Sequence, residues 1–139
     1  MTKQELLHEL QHETFIALQA SGIHGIGVFV ICGITKGCKT LFSKNTGSWI
    51  ELSFAEVEQL PAHSRNFVET YYLYDHEKYF IPDHGCKVMD MTNYLNHSHS
   101  PNIVSVNDGE YFETLRDIRE GEELFIDYGE IVDDLETYA

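Results

Sequence analysis

The sequence predicts a mostly β fold with a few short helices, and three observations support that class. Its apolar runs are short, rich in Val, Ile, Phe and Tyr, and bounded by Gly, Asn, Asp or Ser, as strands and turns are. Helical spacing occurs only in brief stretches, most of them behind a serine or threonine cap. No alternation of strands with helices runs along the chain, which argues against a doubly wound sheet.

The elements follow in order. Thr2 and Glu5 have capping-box spacing, and Leu6, Leu7 and Leu10 fall on one face of a first helix. Phe15 to Leu18 reads as a strand. A glycine-punctuated stretch from Ser21 to Gly27 precedes Val28 to Ile31, a run suited to a buried strand. Ile34 to Phe42 offers a turn at Gly37 and another strand. Ser53 and Glu56 form a second capping box, with Phe54, Val57 and Leu60 inward and Pro61 as the stop. Phe67, Val68, Tyr71 and Tyr72 give helical spacing to His63–Tyr74. Strands are then expected at Tyr79–Ile81, Ile103–Val106, Tyr111–Leu115 and Leu124–Ile126. Asn107-Asp108-Gly109 suits a hairpin turn, because these residues tolerate positive φ.

The 139 residues suit one domain, and 42% hydrophobic with 23% charged residues suits a globular one. Nine Lys and Arg against 23 Asp and Glu give a formal charge of -14. That balance argues against direct nucleic-acid binding and against adhesion to an anionic membrane. It favours cationic partners, or simply solubility. No apolar run is long enough to span a bilayer, and the first residues are too polar for a signal peptide. Three cysteines without a CxxC pair read as free thiols of an intracellular protein. Eight histidines raise the question of zinc, but His97 and His99 lack a second pair at zinc-site spacing, so no metal is expected.

Three separated segments carry the chemistry: His24-Gly25-Ile26-Gly27, then Asn93 to Asn102 (NYLNHSHSPN), then Gly121 to Gly129 (GEELFIDYG). Each has a plainer reading alone. Paired glycines make turns, asparagines cap them, and Asp127-Tyr128-Gly129 could end a strand. The glycines form only GxG, and Val28 to Ile31 behind them is no helix start, so a dinucleotide fingerprint is not met. In this order, however, GIG, NHSHSPN and GEELFIDYG resemble the SET domain of protein-lysine methyltransferases. The resemblance runs from about Gly22 to Gly129. Val28 to Phe42 also looks like the family's opening strands.

The resemblance implies a β-clip-like SET fold with a C-terminal pseudoknot, in which the NHSxxPN segment threads beneath the loop carrying the final tyrosine. It divides the chain into an N-terminal extension (1–21), a SET core (22–129) and a tail (130–139). It implies S-adenosyl-L-methionine as cofactor, held by His24, Gly25, Ile26 and Gly27 and by Asn96 and His97. Tyr94 is a candidate for packing on the cofactor and equally a candidate for the core. Tyr128 matches the tyrosine at the methyl-transfer site. There a substrate ammonium, with a reference pKa near 10.4, must lose its proton before attacking the methyl group. Asn102, Glu123 and Asp127 look like braces of the crossing. The implied activity is methyl transfer to a lysine of a basic, Lys/Arg-rich protein or peptide. The alternative is a SET-like module that binds peptide or cofactor without turnover. The compartment is the cytoplasm in a bacterium, with the nucleus open in a eukaryote.

The chain departs from the family pattern at several places. Many members carry Arg where this chain has Asn93, and Cys where it has His99; that Cys joins a zinc site when a cysteine-rich tail follows. Without such a tail, the wall of the lysine channel must come from Ile131 to Ala139, from substrate or from a second copy in a homodimer. The usual tyrosine after the first strands is missing from Leu41 to Ile50. A second active-site tyrosine could be Tyr71, Tyr72 or Tyr79. Trp49 either lies in the core or lines the channel.

Overall fold

The computed structural model describes residues 1–43, 47–107 and 110–128, and the backbone of 131–132. Its strands form small sheets, three of two strands and one of three among the described residues. Helix α1 (Lys3–His12) starts where Thr2 accepts a hydrogen bond from the Glu5 amide. β1 (Ile16–Ala20) and β2 (Ile26–Val30) pair antiparallel, Ile16 opposite Val30 and Ala20 opposite Ile26. β3 (Trp49–Ser53) pairs in the same sense with β4 (Lys78–Pro82). Between them lie α2 (Phe54–Glu58) and α3 (Ala62–Tyr71). A 3₁₀ turn (Met91–Tyr94) leads into β5 (Asn96–His97). β6 (Ile103–Val106) pairs antiparallel with β7 (Tyr111–Thr114) and parallel with β9 (Ile131–Val132), and β8 (Phe125–Ile126) pairs parallel with β5.

The main core gathers β-branched and leucine side chains from both ends of the chain. Val28, Ile103 and Leu124 are fully buried in it, with Val30, Leu95, Ile118 and Ile126 beside them. A second core under α2 and α3 holds Val57, Val68, Tyr72 and Ile81. α2 owes its start to a reciprocal capping box. The Glu56 amide donates to Ser53 Oγ at 3.1 Å, and the Ser53 amide donates to Glu56 Oε1 at 3.0 Å. This hydrogen bonding also holds the Glu56 carboxyl below its ordinary range.

Several expectations are corrected. Ile34–Phe42 is not a strand. Gly37 turns it at φ +84°, and its partners are scattered: Lys36 N donates to Asp117, Cys38 N to Thr114 Oγ1, and only Ile34 bridges Ile118. The helix expected to Tyr74 ends at Tyr71, because Tyr72 turns extended and drops its ring into the second core. Leu6, Leu7 and Leu10 share a face of α1, but that face is exposed and no residue of α1 is buried. β3, β5 and β9 are too short or too mixed in composition to stand out in the sequence. The turn at Asn107-Asp108-Gly109 shows only its first residue, with φ +53°; Asp108 and Gly109 lie outside the described residues. Tyr138 and the rest of 133–139 lie outside them too.

Candidate active site

The backbone brings the three chemistry-bearing segments together. The Gly121–Leu124 stretch runs antiparallel along β2: Gly121 N donates to Val30 O, Val30 N to Glu122 O and Leu124 N to Val28 O, at 2.8–2.9 Å. Its continuation, β8, lies parallel to β5, with Asn96 opposite Phe125 and His97 opposite Ile126. The third segment therefore sits between the first and the second. Parallel pairing of two-residue strands cannot come from a local turn, so the chain must return over a long connection to form it.

Side chains lock this junction. Glu123 Oε1 accepts from the Ser21 hydroxyl at 2.8 Å, and Oε2 accepts from Asn96 Nδ2 at 2.6 Å. Asn96 Nδ2 also donates to the His24 carbonyl at 3.2 Å, which ties the GIG loop to the second motif. The two glycines of that loop serve different ends. Gly25 takes φ +50°, and its carbonyl accepts from Ser21 N at 2.8 Å. Gly27 needs its missing side chain: a Cβ there would run into the Glu123 carboxylate and stand 3.1 Å from Asn96 Nδ2. Asn102 does the same work further along. Its Nδ2 donates to Glu123 O and its Oδ1 accepts from Phe125 N, both at 2.8 Å. Asn102 is buried, so leaving either bond unmade would carry a desolvation cost.

Tyr128 closes the site from the far side. Its hydroxyl donates to the Leu95 carbonyl, and its backbone N–H donates to His97 Nδ1 at 3.1 Å. Burial pushes the phenol up to about 12, with the Tyr71 and Tyr74 phenols adding to the effect. The group therefore stays neutral and remains a hydrogen-bond donor through the physiological range. The His97 ring meets Tyr128 edge-on at 5.5 Å.

The expected residues are thus brought together, with some differences in role. His24 and Gly25 of the loop and Ile26 at the start of β2 are exposed, whereas Gly27 and Asn96 are buried. Tyr94 is half-buried, packed on the main core and 6.1 Å from the Tyr71 ring. Of the three other tyrosines considered, only Tyr71 faces this site. Tyr72 donates its hydroxyl to Cys86 O in the second core, and Tyr79 packs on Phe54 and Tyr74. Asn93 is buried; it accepts from Asp90 N and donates to Tyr71 O. Sequence reasoning missed Ser21 and Tyr74. Ser21 had a signal, since a serine ahead of Gly22 also accepts from Ile23 N, as turn serines do.

Beside this junction lies a cavity of about 640 Å³. Glu5 and Glu9 of α1 and Glu13 at its C-cap line it together with Asp90 and Glu110, while Trp49, Phe80, Tyr111 and Phe112 supply an aromatic surface. Trp49 therefore lines a cavity while also meeting the Phe80 ring at 6.4 Å. Tyr71 lines the cavity and touches Tyr94, so it links the two regions.

Comparison with known proteins places this arrangement. A family model described as the SET domain matches residues 10–129. That match starts before Gly22 and includes β1, which pairs along its whole length with β2. No curated protein sequence matches the chain. Among solved structures, one similar chain is a Plasmodium falciparum protein described as a candidate histone methyltransferase. It has 22% identity and a TM-score of 0.50 over 84% of this chain and 95% of that one. Another belongs to an apo ctPRC2 assembly with two substitutions in Ezh2. It has 26% identity and a TM-score of 0.53 over 91% of this chain, which spans only 18% of that one. Among the described residues, no helix is long and apolar enough to cross a membrane. With a family model covering most of its length and the three motifs converging on one junction, the chain belongs to the SET domain family.

Proposed function

We propose that this protein transfers a methyl group from S-adenosyl-L-methionine to a lysine side chain of a basic protein. The observation that carries the reading is the convergence of Gly27, Asn96, His97 and Tyr128 on one junction, with the Tyr128 hydroxyl held at the Leu95 carbonyl. The residues fit the cofactor. The exposed His24–Ile26 stretch, whose His24 and Gly25 carbonyls are already held by Asn96 and Ser21, would offer backbone amides to its amino-carboxylate end, and the close packing at Gly27 keeps that backbone low. Asn96 and His97 would border the bound molecule, and Tyr94 would pack beside it. When bound, the cofactor supplies an electrophilic methyl on a positively charged sulfur.

The protein's own part is positioning and desolvation. A lysine ammonium entering among Tyr71, Tyr74, Tyr94 and Tyr128 loses water, which favours its neutral, nucleophilic form. The neutral Tyr128 phenol and the carbonyl it engages orient the amine, and in-line attack needs reacting atoms about 3–3.5 Å apart. Tyr128 is no general base, because burial holds its proton on. Tyr71 takes the place of the missing early tyrosine in this reading. The β5–β8 pairing supports the threaded crossing that the family resemblance implies. The net charge of -14 and the carboxylates of the neighbouring cavity favour a Lys/Arg-rich partner.

The test is transfer of labelled methyl from S-adenosylmethionine to a panel of basic proteins and peptides. Incorporation by wild type, cut at least about a hundredfold in Tyr128→Phe with cofactor binding retained, is the expected result. Product binding without incorporation on any basic acceptor would favour the non-catalytic module instead.

A further inference from the structure

His97, which ends β5, and His99, two residues on, project toward the same side as Asp127, which follows β8. The parallel pairing of the two segments extends through Ser98 N donating to Ile126 O at 3.0 Å, so the three side chains are set by one ladder. The imidazole rings stand perpendicular with centroids 4.6 Å apart. Asp127 Oδ1 lies 3.8 Å from His97 Nδ1, and Oδ2 lies 3.5 Å from His99 Nδ1. One ligand atom from each residue falls within 4.8 Å of the others.

We propose that His97, His99 and Asp127 form a site for a divalent transition-metal ion, zinc in the first instance, whose binding releases the Tyr128 backbone from His97. Two imidazoles and one carboxylate are a donor set for zinc, cobalt or nickel rather than for calcium or magnesium, which prefer all-oxygen shells. The ligand atoms around a zinc ion with bonds of about 2.0–2.1 Å lie closer together than 4.8 Å, so small side-chain rotations must close the set. His99 is 88% exposed and free to make that movement, and the ion can arrive directly from solvent. Water would fill the remaining coordination positions.

The coupling to Tyr128 follows from imidazole chemistry. His97 Nδ1 accepts the Tyr128 N–H, so its one lone pair is in use and the ring proton sits on Nε2. A metal bound at Nδ1 takes that lone pair. A metal bound at Nε2 moves the proton to Nδ1, which then faces the N–H donor to donor. Either way the hydrogen bond is lost. One net hydrogen bond is worth about fivefold in affinity, a modest opposition to metal binding by three ligands. Metal occupation and the backbone tether of Tyr128 therefore exclude one another.

The test is calorimetric titration of the tag-free full chain with zinc chloride, combined with amide NMR of the zinc-loaded protein. Wild type is run beside His99→Ala, Asp127→Asn and a His8→Ala/His12→Ala control. One zinc site is expected, weakened about tenfold or more in His99→Ala and Asp127→Asn and unchanged in the control. The Tyr128 amide resonance is expected to shift on zinc addition. Absence of saturable binding in wild type, undiminished binding by His99→Ala, or loss of the site in the His8/His12 control would overturn the assignment. Zinc binding that depends on His99 and leaves the Tyr128 amide in place would overturn the coupling. None of these readouts depends on methyl transfer.

Discussion

The motif junction and helix α1 make an instructive contrast. At the junction, Ser21, Asn96, Asn102 and Glu123 bind across long stretches of sequence, and Gly27 leaves no room for a side chain. α1 has a proper cap and a leucine face, yet buries nothing. Its Glu5 and Glu9 look into a cavity, while Leu6, Leu7 and Leu10 face outward. Beside bonds to its own sequence neighbours Thr2, Glu13 and Thr14, the helix accepts one at Glu9 Oε1 from the Ser43 hydroxyl at 2.6 Å. A well-formed local pattern therefore says that a helix exists, not that it is anchored. What ties the three segments of the junction to one another, above the apolar core they share, is a set of polar side chains whose partners are remote in sequence.

Perturbations should rank accordingly. The largest effect is expected from Gly27→Val. Its side chain must displace Glu123 and Asn96, costing about 1–3 kcal/mol of stability and abolishing cofactor binding, as denaturant melts and calorimetry would show. Unchanged melting would mean that the junction is looser than the hydrogen bonds imply. Asn96→Ala follows. It removes donors to Glu123 and to the His24 carbonyl and should cost about 1–3 kcal/mol.

Ser53→Ala, at the reciprocal capping box, should cost about 1 kcal/mol, and the loss should leave cofactor binding untouched. A smaller effect comes from pH. The Tyr128 phenol is raised to about 12, so its contribution is fully present below the unfolded value near 10 and is lost as pH rises from there through about 12. The stability difference between wild type and Tyr128→Phe should therefore be flat to pH 9 and change only above pH 10. The smallest effect is expected at α1, where Leu10→Gln should change stability by less than about 0.5 kcal/mol. A loss of 2 kcal/mol or more would show that α1 is covered in solution and would erase the contrast.

The same contrast explains what the sequence revealed. The strand Ile103–Val106 and the Ser53–Glu56 cap were legible because each rests on neighbours within a few residues. β5 and β8 were not legible as partners, since two residues carry no period and their pairing is non-local. Ile34–Phe42 misled because its apolar residues are buried without a continuous ladder: Ile34 and Leu41 fill the core from irregular backbone. The candidate site was legible through residue identity in three motifs. Ser21 carried only the local mark of a turn serine, which does not reveal its bond to Glu123, and nothing local marks Tyr74 for the surroundings of Tyr128.

The most direct test of the account is calorimetric titration with S-adenosylhomocysteine, the expected product, using wild type and Asn96→Ala, with thermal melts confirming that both remain folded. One saturable site in wild type, lost or weakened about tenfold or more in Asn96→Ala, is the predicted result. No binding by folded wild type, or equal binding by the variant, would contradict the claim that the junction of the three motifs is the cofactor site.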